Sequence, residues 1–217
     1  MTSVYLKTIF GQLKFYLINE NLMLNTTEIL KKNMIASIEA KQRFLFLDDQ
    51  LAVFDKAVSE VVDRYRNGGR LYIAGNGGSA ADAQHLAAEF VSKLTRDRAP
   101  LAAEALTVDT SILTAIGNDY GYDQVFSRQI AGKMTNKDIF LGITTSGQST
   151  NILNALEICR QMGIPTIVFS GRDGGEAKAK ADYCIVPPGE MTSTIQEIHI
   201  VLAHTLCECV ERAIFKS

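Results

Sequence analysis

The chain has 217 residues, 47% of them apolar and 21% charged. That is an ordinary globular composition; it argues against a disordered, collagen-like or coiled-coil chain, and at about 150 residues per domain it leaves room for one domain and an extra element. Lys and Arg number 22 and Asp and Glu 24, a net charge of -2, so no basic excess points to nucleic acid and no acidic block reads as a tail.

Residues 1–24 are fairly apolar, but Lys7, Gln12, Lys14, Asn19, Glu20 and Asn21 interrupt them. No run reaches the ~18 apolar residues of a spanning helix, and no basic start, apolar core and cleavage site mark an export signal. No membrane partner is expected. Residues 1–70 read as helical, with Asn25 as a cap and Glu28 three residues on. A second helix is expected after Asp48 or Asp49, with Leu51, Phe54, Val58, Val61, Val62 and Tyr65 as its apolar stripe and Asn67-Gly68-Gly69 as its end. Residues 1–48 are taken as a helical N-terminal extension and 49–217 as the main domain.

From Arg70 the pattern changes. Leu71–Ala74 is a short apolar run ending in Gly75-Asn76-Gly77-Gly78-Ser79, with a helix through about Leu94. Ala105–Val108 is a further candidate strand. Asp138–Ile143 ends in Thr144-Thr145-Ser146-Gly147-Gln148-Ser149 before a helix over Thr150–Met162, and Pro165–Ser170 ends in Gly171-Arg172-Asp173-Gly174-Gly175. Tyr183–Val186 is another run, and the last helix covers about Thr192–Phe215. Strands alternating with helices predict an α/β fold, a doubly wound parallel sheet covered on both faces. Cys159, Cys184, Cys207 and Cys209 have no CxxC spacing and read as reduced thiols of a cytoplasmic protein.

Three loops leave their strands through Gly, Ser, Thr or Asn and enter helices, at the carboxyl edge where open parallel sheets bind ligands. Glycines let amides turn inward, and the helix start adds partial positive charge. Thr144, Thr145, Ser146 and Ser149 place four hydroxyls within six residues, which suits a phosphate monoester. Such loops are also common turn chemistry. No GxGxxG or GxxxxGK[ST] is present, which disfavours dinucleotide and P-loop enzymes.

The chain has three histidines. His85 and Glu89 are i,i+4 on the helix behind the first glycine loop, a spacing that serves a metal, an acid–base pair or a plain solvated pair. On the last helix, at ~100° per residue, Ile195, Ile198, Leu202, Leu206, Cys209 and Ala213 form the core stripe. His199 lies at its edge and reads as a core histidine with a satisfied hydrogen bond. His204 lies opposite, about 80° from Gln196, with Ile200 and Cys207 between them in angle. That second face is expected to pack on another surface, most simply another subunit, which makes Gln196 and His204 candidate site residues.

The run Gly75-Asn76-Gly77-Gly78-Ser79-Ala80-Ala81-Asp82-Ala83-Gln84-His85-Leu86-Ala87-Ala88-Glu89 resembles the sugar isomerase (SIS) domain family, and within it the phosphoheptose (D-sedoheptulose 7-phosphate) isomerases. Ile116-Gly117-Asn118-Asp119-Tyr120-Gly121-Tyr122, Thr144-Thr145-Ser146-Gly147-Gln148-Ser149 and Gln196-Glu197-Ile198-His199-Ile200 match in the same order, and the likeness covers about residues 50–215. The resemblance implies a single five-stranded SIS domain in a homotetramer with sites between subunits. It implies conversion of sedoheptulose 7-phosphate to D-glycero-D-manno-heptose 7-phosphate through a cis-enediol, the first step towards nucleotide-activated heptoses for bacterial surface glycans such as lipopolysaccharide. By position it makes His85, Glu89, Gln196 and His204 ligands of one zinc ion per subunit, and Glu89 and His204 the catalytic base and acid. It makes Asn76, Gly77, Gly78, Glu89, Asn118, Asp119, Thr144, Thr145, Ser146, Ser149 and Gln196 substrate contacts.

The chemistry is coherent, since moving a proton between adjacent carbons needs a carboxylate base and an acid partner, and zinc can polarise a carbonyl. Metal-bound Glu89 and His204 would be poorer proton shuttles than free ones, so zinc stays open between a catalytic, a structural and an inhibitory role. Two departures from the family pattern stand out: Ser193-Thr194 replaces the usual Asp-Arg, and the N-terminus is longer by roughly two dozen residues. Relatives that bind the bacterial replication initiator without catalysis carry Asn at the position of His204 and Arg at that of Ser146; this chain keeps both enzyme-type residues. A DNA-binding sugar-phosphate sensor is disfavoured, because acids balance Lys31, Lys32, Lys41 and Arg43. Another sugar-phosphate isomerase of the same fold is a further alternative.

Overall fold

The computed structural model describes residues 25–215; expectations for residues 1–24 lie outside them. The chain divides into two units at Ala36/Ser37. In the first, Asn25 caps helix α1 (Thr26–Phe44): the Glu28 amide donates to its Oδ1 at 3.2 Å, as expected.

The second unit carries the end of α1, then α2 (Asp48–Arg66), β1 (Leu71–Gly75), α3 (Gly78–Val91), β2 (Ala103–Ala105) and α4 (Thr110–Asp119). A 3-10 turn (Tyr122–Gln124) and α5 (Ser127–Lys133) lead to β3 (Ile139–Ile143), α6 (Thr150–Met162), β4 (Thr166–Phe169), α7 (Ala177–Lys180), β5 (Tyr183–Ile185) and α8 (Thr192–Ile214). The five strands form one parallel sheet in the order β2-β1-β3-β4-β5. β1 and β3 are buried along their whole length, because helices cover both faces and leave no solvent side for polar residues. Leu71, Ile73, Ile139, Leu141, Ile167 and Phe169 pack towards Val61, Leu86, Phe90, Ile198, Leu202 and Leu206 of α2, α3 and α8. Tyr72, Ala74, Phe140 and Val168 point the other way, onto Phe126 just before α5, Ile130 of α5, and Ile152 and Leu156 of α6. This is the doubly wound architecture that the alternating pattern predicts.

Several boundaries differ from expectation. The edge strand lies at Ala103–Ala105, paired with Leu71–Ile73, and Val108 is exposed; an edge strand is covered on one side only, so its apolar signal is diluted. α3 ends at Val91 because Ser92 leaves helical geometry (φ -87°, ψ -100°). On α2, Leu51 is exposed and Ala57 is buried instead. The short helices α4, α5 and α7 carry too few residues for a periodic stripe; α4 starts at Asp109, whose side chain accepts from the Ile112 amide at 2.9 Å.

The end of α1 is fastened to α8. Lys41 Nζ meets Glu197 Oε2 at 2.8 Å and the buried Ser37 hydroxyl donates to the same oxygen. These two hydrogen bonds hold the Glu197 carboxyl below the usual range. Among the described residues no helix is long and apolar enough to cross a membrane.

Candidate active site

In a sheet ordered 2-1-3-4-5 the chain winds outwards in opposite directions from β1 and β3, so their following loops part and leave a crevice. The loop after β1 supplies Asn76, Gly77 and Gly78; the loop after β3 supplies Thr144 to Ser149. Reciprocal amide bonds join them: Asn76 Nδ2 donates to Asn151 Oδ1 at 2.9 Å and Asn151 Nδ2 returns to Asn76 Oδ1 at 2.8 Å. The Tyr122 hydroxyl donates to the same Asn76 oxygen at 3.2 Å. Thr144 Oγ1 and Ser149 Oγ are 3.0 Å apart, and Ser146 Oγ accepts from the Gln148 amide at 3.1 Å. Neither α3 nor α6 is capped by a side chain at its start, so no side chain competes with an anion for their first-turn amides.

One wall carries the titratable groups. His85 Nε2 lies 3.1 Å from Glu89 Oε1 on α3, and the His85 ring meets the His204 ring of α8 edge-on at 5.0 Å between centroids. Ligand atoms of His85, Glu89 and His204 all lie within 4.8 Å of one another. His204 Nε2 is buried without a hydrogen-bond partner. Asp82, one turn before His85, is half-buried, and burial pushes its carboxyl above the usual range against the opposing effect of His85.

The SIS domain model matches residues 33–171. The phosphoheptose isomerase of Aneurinibacillus thermoaerophilus is 46% identical over 190 residues, 88% of this chain and 96% of that protein. Phosphoheptose isomerase 2 of Campylobacter jejuni is 47% identical over 193 residues, 89% and 96% of the two chains. The structure of the Neisseria gonorrhoeae phosphoheptose isomerase superimposes with a TM-score of 0.81 at 39% identity, covering 86% of this chain and 99% of that one. That of the Francisella tularensis enzyme gives 0.83 at 32%, covering 87% and 100%. The chain belongs to the phosphoheptose isomerase family of SIS-domain proteins.

Zinc, the ion that the sequence resemblance implies, can be tested against the wall. Two imidazoles and a carboxylate are a donor set zinc favours, and the buried, unpartnered His204 Nε2 is free to serve as a ligand. The residues fit. Gln196 sits apart from the triad's ring contacts: its Nε2 lies 2.8 Å from where a Cβ on Gly78 would stand, so the absence of a side chain at Gly78 makes room for the amide.

His199 is the core residue expected. It is 1% exposed and its Nε2 donates to the Ser170 carbonyl; Nδ1 has no partner, so only one of its two nitrogens is satisfied. Burial, opposed by that bond, pushes its pKa down to about 4. Part of the face bearing His204 meets α3 of the same chain, with Cys207 and Glu211 buried along it, while Gln196, Ile200 and His204 stay half-buried. Angular position shows that a face is apolar; it does not show whose surface covers it. Asn118 and Asp119 lie exposed at the end of α4, where Asn118 Nδ2 donates to Asp119 Oδ1 at 2.7 Å, and the fold does not bring them to the triad. Ser193 is exposed and Thr194 buried in the first turn of α8.

Two contributors escaped sequence reasoning. Asn151 is 4% exposed in the stripe that continues as Ala155; a polar residue inside an apolar stripe was the available signal. Arg98 and Glu211 form a buried ion pair, 2.8 Å from Nε to Oε1. Burial pushes the Glu211 carboxyl up, but hydrogen bonds from Leu94, Thr95 and Arg98 outweigh it and hold it below the usual value.

Proposed function

We propose that this chain interconverts sedoheptulose 7-phosphate and D-glycero-D-manno-heptose 7-phosphate in the β1/β3 crevice. The observation that carries the reading is the meeting of Glu89, His85 and His204 beside a loop of hydroxyls and uncapped helix amides. The phosphate binds Thr144, Thr145, Ser146 and Ser149 and the amides at the start of α6. Asn76, Gly77, Gly78 and Gln196 line the approach of the sugar to the wall, and Asn118 and Asp119 bind it from the α4 end. Glu89 takes the proton from C1 of the ketose while His204 protonates the C2 oxygen, giving the cis-enediol. Glu89 then returns the proton to C2 and His204 removes the one on the C1 oxygen, which leaves the aldehyde. No hydride carrier is needed. His85, Glu89 and His204, with Gln196, would hold one zinc ion per chain, which when bound supplies a Lewis acid for the carbonyl oxygen.

The product feeds nucleotide-activated heptoses for bacterial surface glycans such as lipopolysaccharide. The proposed compartment is the cytoplasm, supported by four free cysteines, Cys159 and Cys207 buried. The proposed assembly is a homotetramer, supported by large apolar side chains left exposed, among them Leu45, Phe46 and Val201.

The test is turnover followed by NMR, with and without zinc. Heptose 7-phosphate that forms with the wild-type chain and not with Glu89→Gln supports the reading; no product from a folded chain in either condition overturns it.

A further inference from the structure

Arg98 is 1% and Glu211 0% exposed in their side chains, and a buried ion pair is a poor way to add stability. What the pair holds is more informative. Arg98 Nη2 donates to the backbone carbonyl of Glu89 at 2.9 Å, and Nη1 to that of Phe90 at 2.6 Å. These belong to the last turn of α3, whose carbonyls have no partner within the helix. The other side of the guanidinium meets Glu211 of α8. Glu211 also accepts from the Leu94 amide at 3.1 Å and the Thr95 hydroxyl at 2.8 Å, which secures the segment that follows α3. Glu211 stands seven residues after His204, two turns along the same face. One guanidinium therefore links the backbone of Glu89 to the helix face that carries His204.

We propose that Arg98 and Glu211 are positioning residues for the isomerisation: the pair sets the register of α3 against α8 and so the distance between Glu89 and His204. Arg98 reaches Glu89 only through its backbone carbonyl, not through the carboxylate. This rests on the isomerase reading above and extends it to residues outside the crevice. The planar fork matters, because a lysine offers one ammonium and cannot serve Glu211 and both carbonyls in the same geometry.

The test separates positioning from stability. In Arg98→Met/Glu211→Leu the buried charges go together, a change that is often neutral or stabilising. The expected result is a thermally stable variant whose kcat falls by about 10–100-fold with KM little changed, and whose zinc affinity, read by competition with a chromophoric chelator, falls by about tenfold. A stable double variant with wild-type kcat and zinc affinity overturns the proposal. If the double variant does not fold, Arg98→Lys decides on the same readouts, and wild-type values there overturn it equally. Failure of the isomerase reading is distinguishable. A wild-type chain that binds zinc without turning over the heptose phosphate loses that reading, and the zinc affinities of the variants still decide the register. A wild-type chain that does neither loses both.

Discussion

Replacing Gly147 with alanine tests how the loop after β3 is built. Gly147 has φ +65°, and a Cβ there would stand 2.0 Å from the Gly174 carbonyl oxygen and 2.8 Å from the Gly175 nitrogen. The obstacle is backbone, so no side chain can swing aside. Left-handed geometry costs an L-residue about 1–2 kcal/mol, and forcing an extra carbon into a filled space about 1–3 kcal/mol. Separating the loops also strains the bond from the Ala177 amide to the Gly147 carbonyl, 3.0 Å long, worth about 1 kcal/mol. The expected loss is about 3–6 kcal/mol, a large part of the 5–15 kcal/mol that holds an ordinary domain. Urea unfolding at one fixed protein concentration reads it as a lowered midpoint at unchanged slope. Gly163→Ala is the control: φ is +68° with nothing within 4 Å of the added carbon, so it should lose only the conformational part. Equal midpoints for the two variants would refute the close approach of the loops. Where Gly147→Ala still folds, KM for the sugar phosphate should rise, because Thr144 and Ser149 flank the displaced backbone.

The remaining predictions concern single side chains. Glu89→Gln removes the proposed base and should lower kcat by about 10²–10⁴-fold with substrate binding largely kept, read by turnover and by titration calorimetry; normal turnover would remove Glu89 from that role. His204→Asn should lose activity on a similar scale and weaken zinc binding, and unchanged zinc affinity would take His204 out of the donor set. His199 is held neutral by burial, with its pKa down from 6.5 to about 4. Its contribution is therefore complete above pH 6.5 and is lost as pH falls through about 4, amounting to about 3 kcal/mol. His199→Asn should lower stability at neutral pH and flatten that acid limb while leaving kcat largely intact; selective loss of kcat in a stable variant would move His199 into the site.

The legible parts of this molecule are those where the information is local. β1, β3 and α6 could be read because a strand buried on both faces is an unbroken apolar run, and because Gly and hydroxyl residues end it where a helix must begin. His85 with Glu89, and His204 as against His199, could be read because helical angle is set by sequence spacing alone. The edge strand β2 could not, since half its side chains face away from the core. The illegible parts are pairings between elements distant along the chain. Asn76 meets Asn151 across 75 residues, and Arg98 meets Glu211 across 113. Periodicity says that each faces inwards and nothing about which partner it finds. The same limit applies to the second face of α8, part of which meets α3. The site is made by that meeting: His85 and Glu89 share one helix by spacing, His204 sits on another by spacing, and only the packing of α3 on α8 makes three unremarkable positions into one cluster. Mutations that alter this packing without touching the crevice are therefore the ones from which most is to be learned about how the chain works.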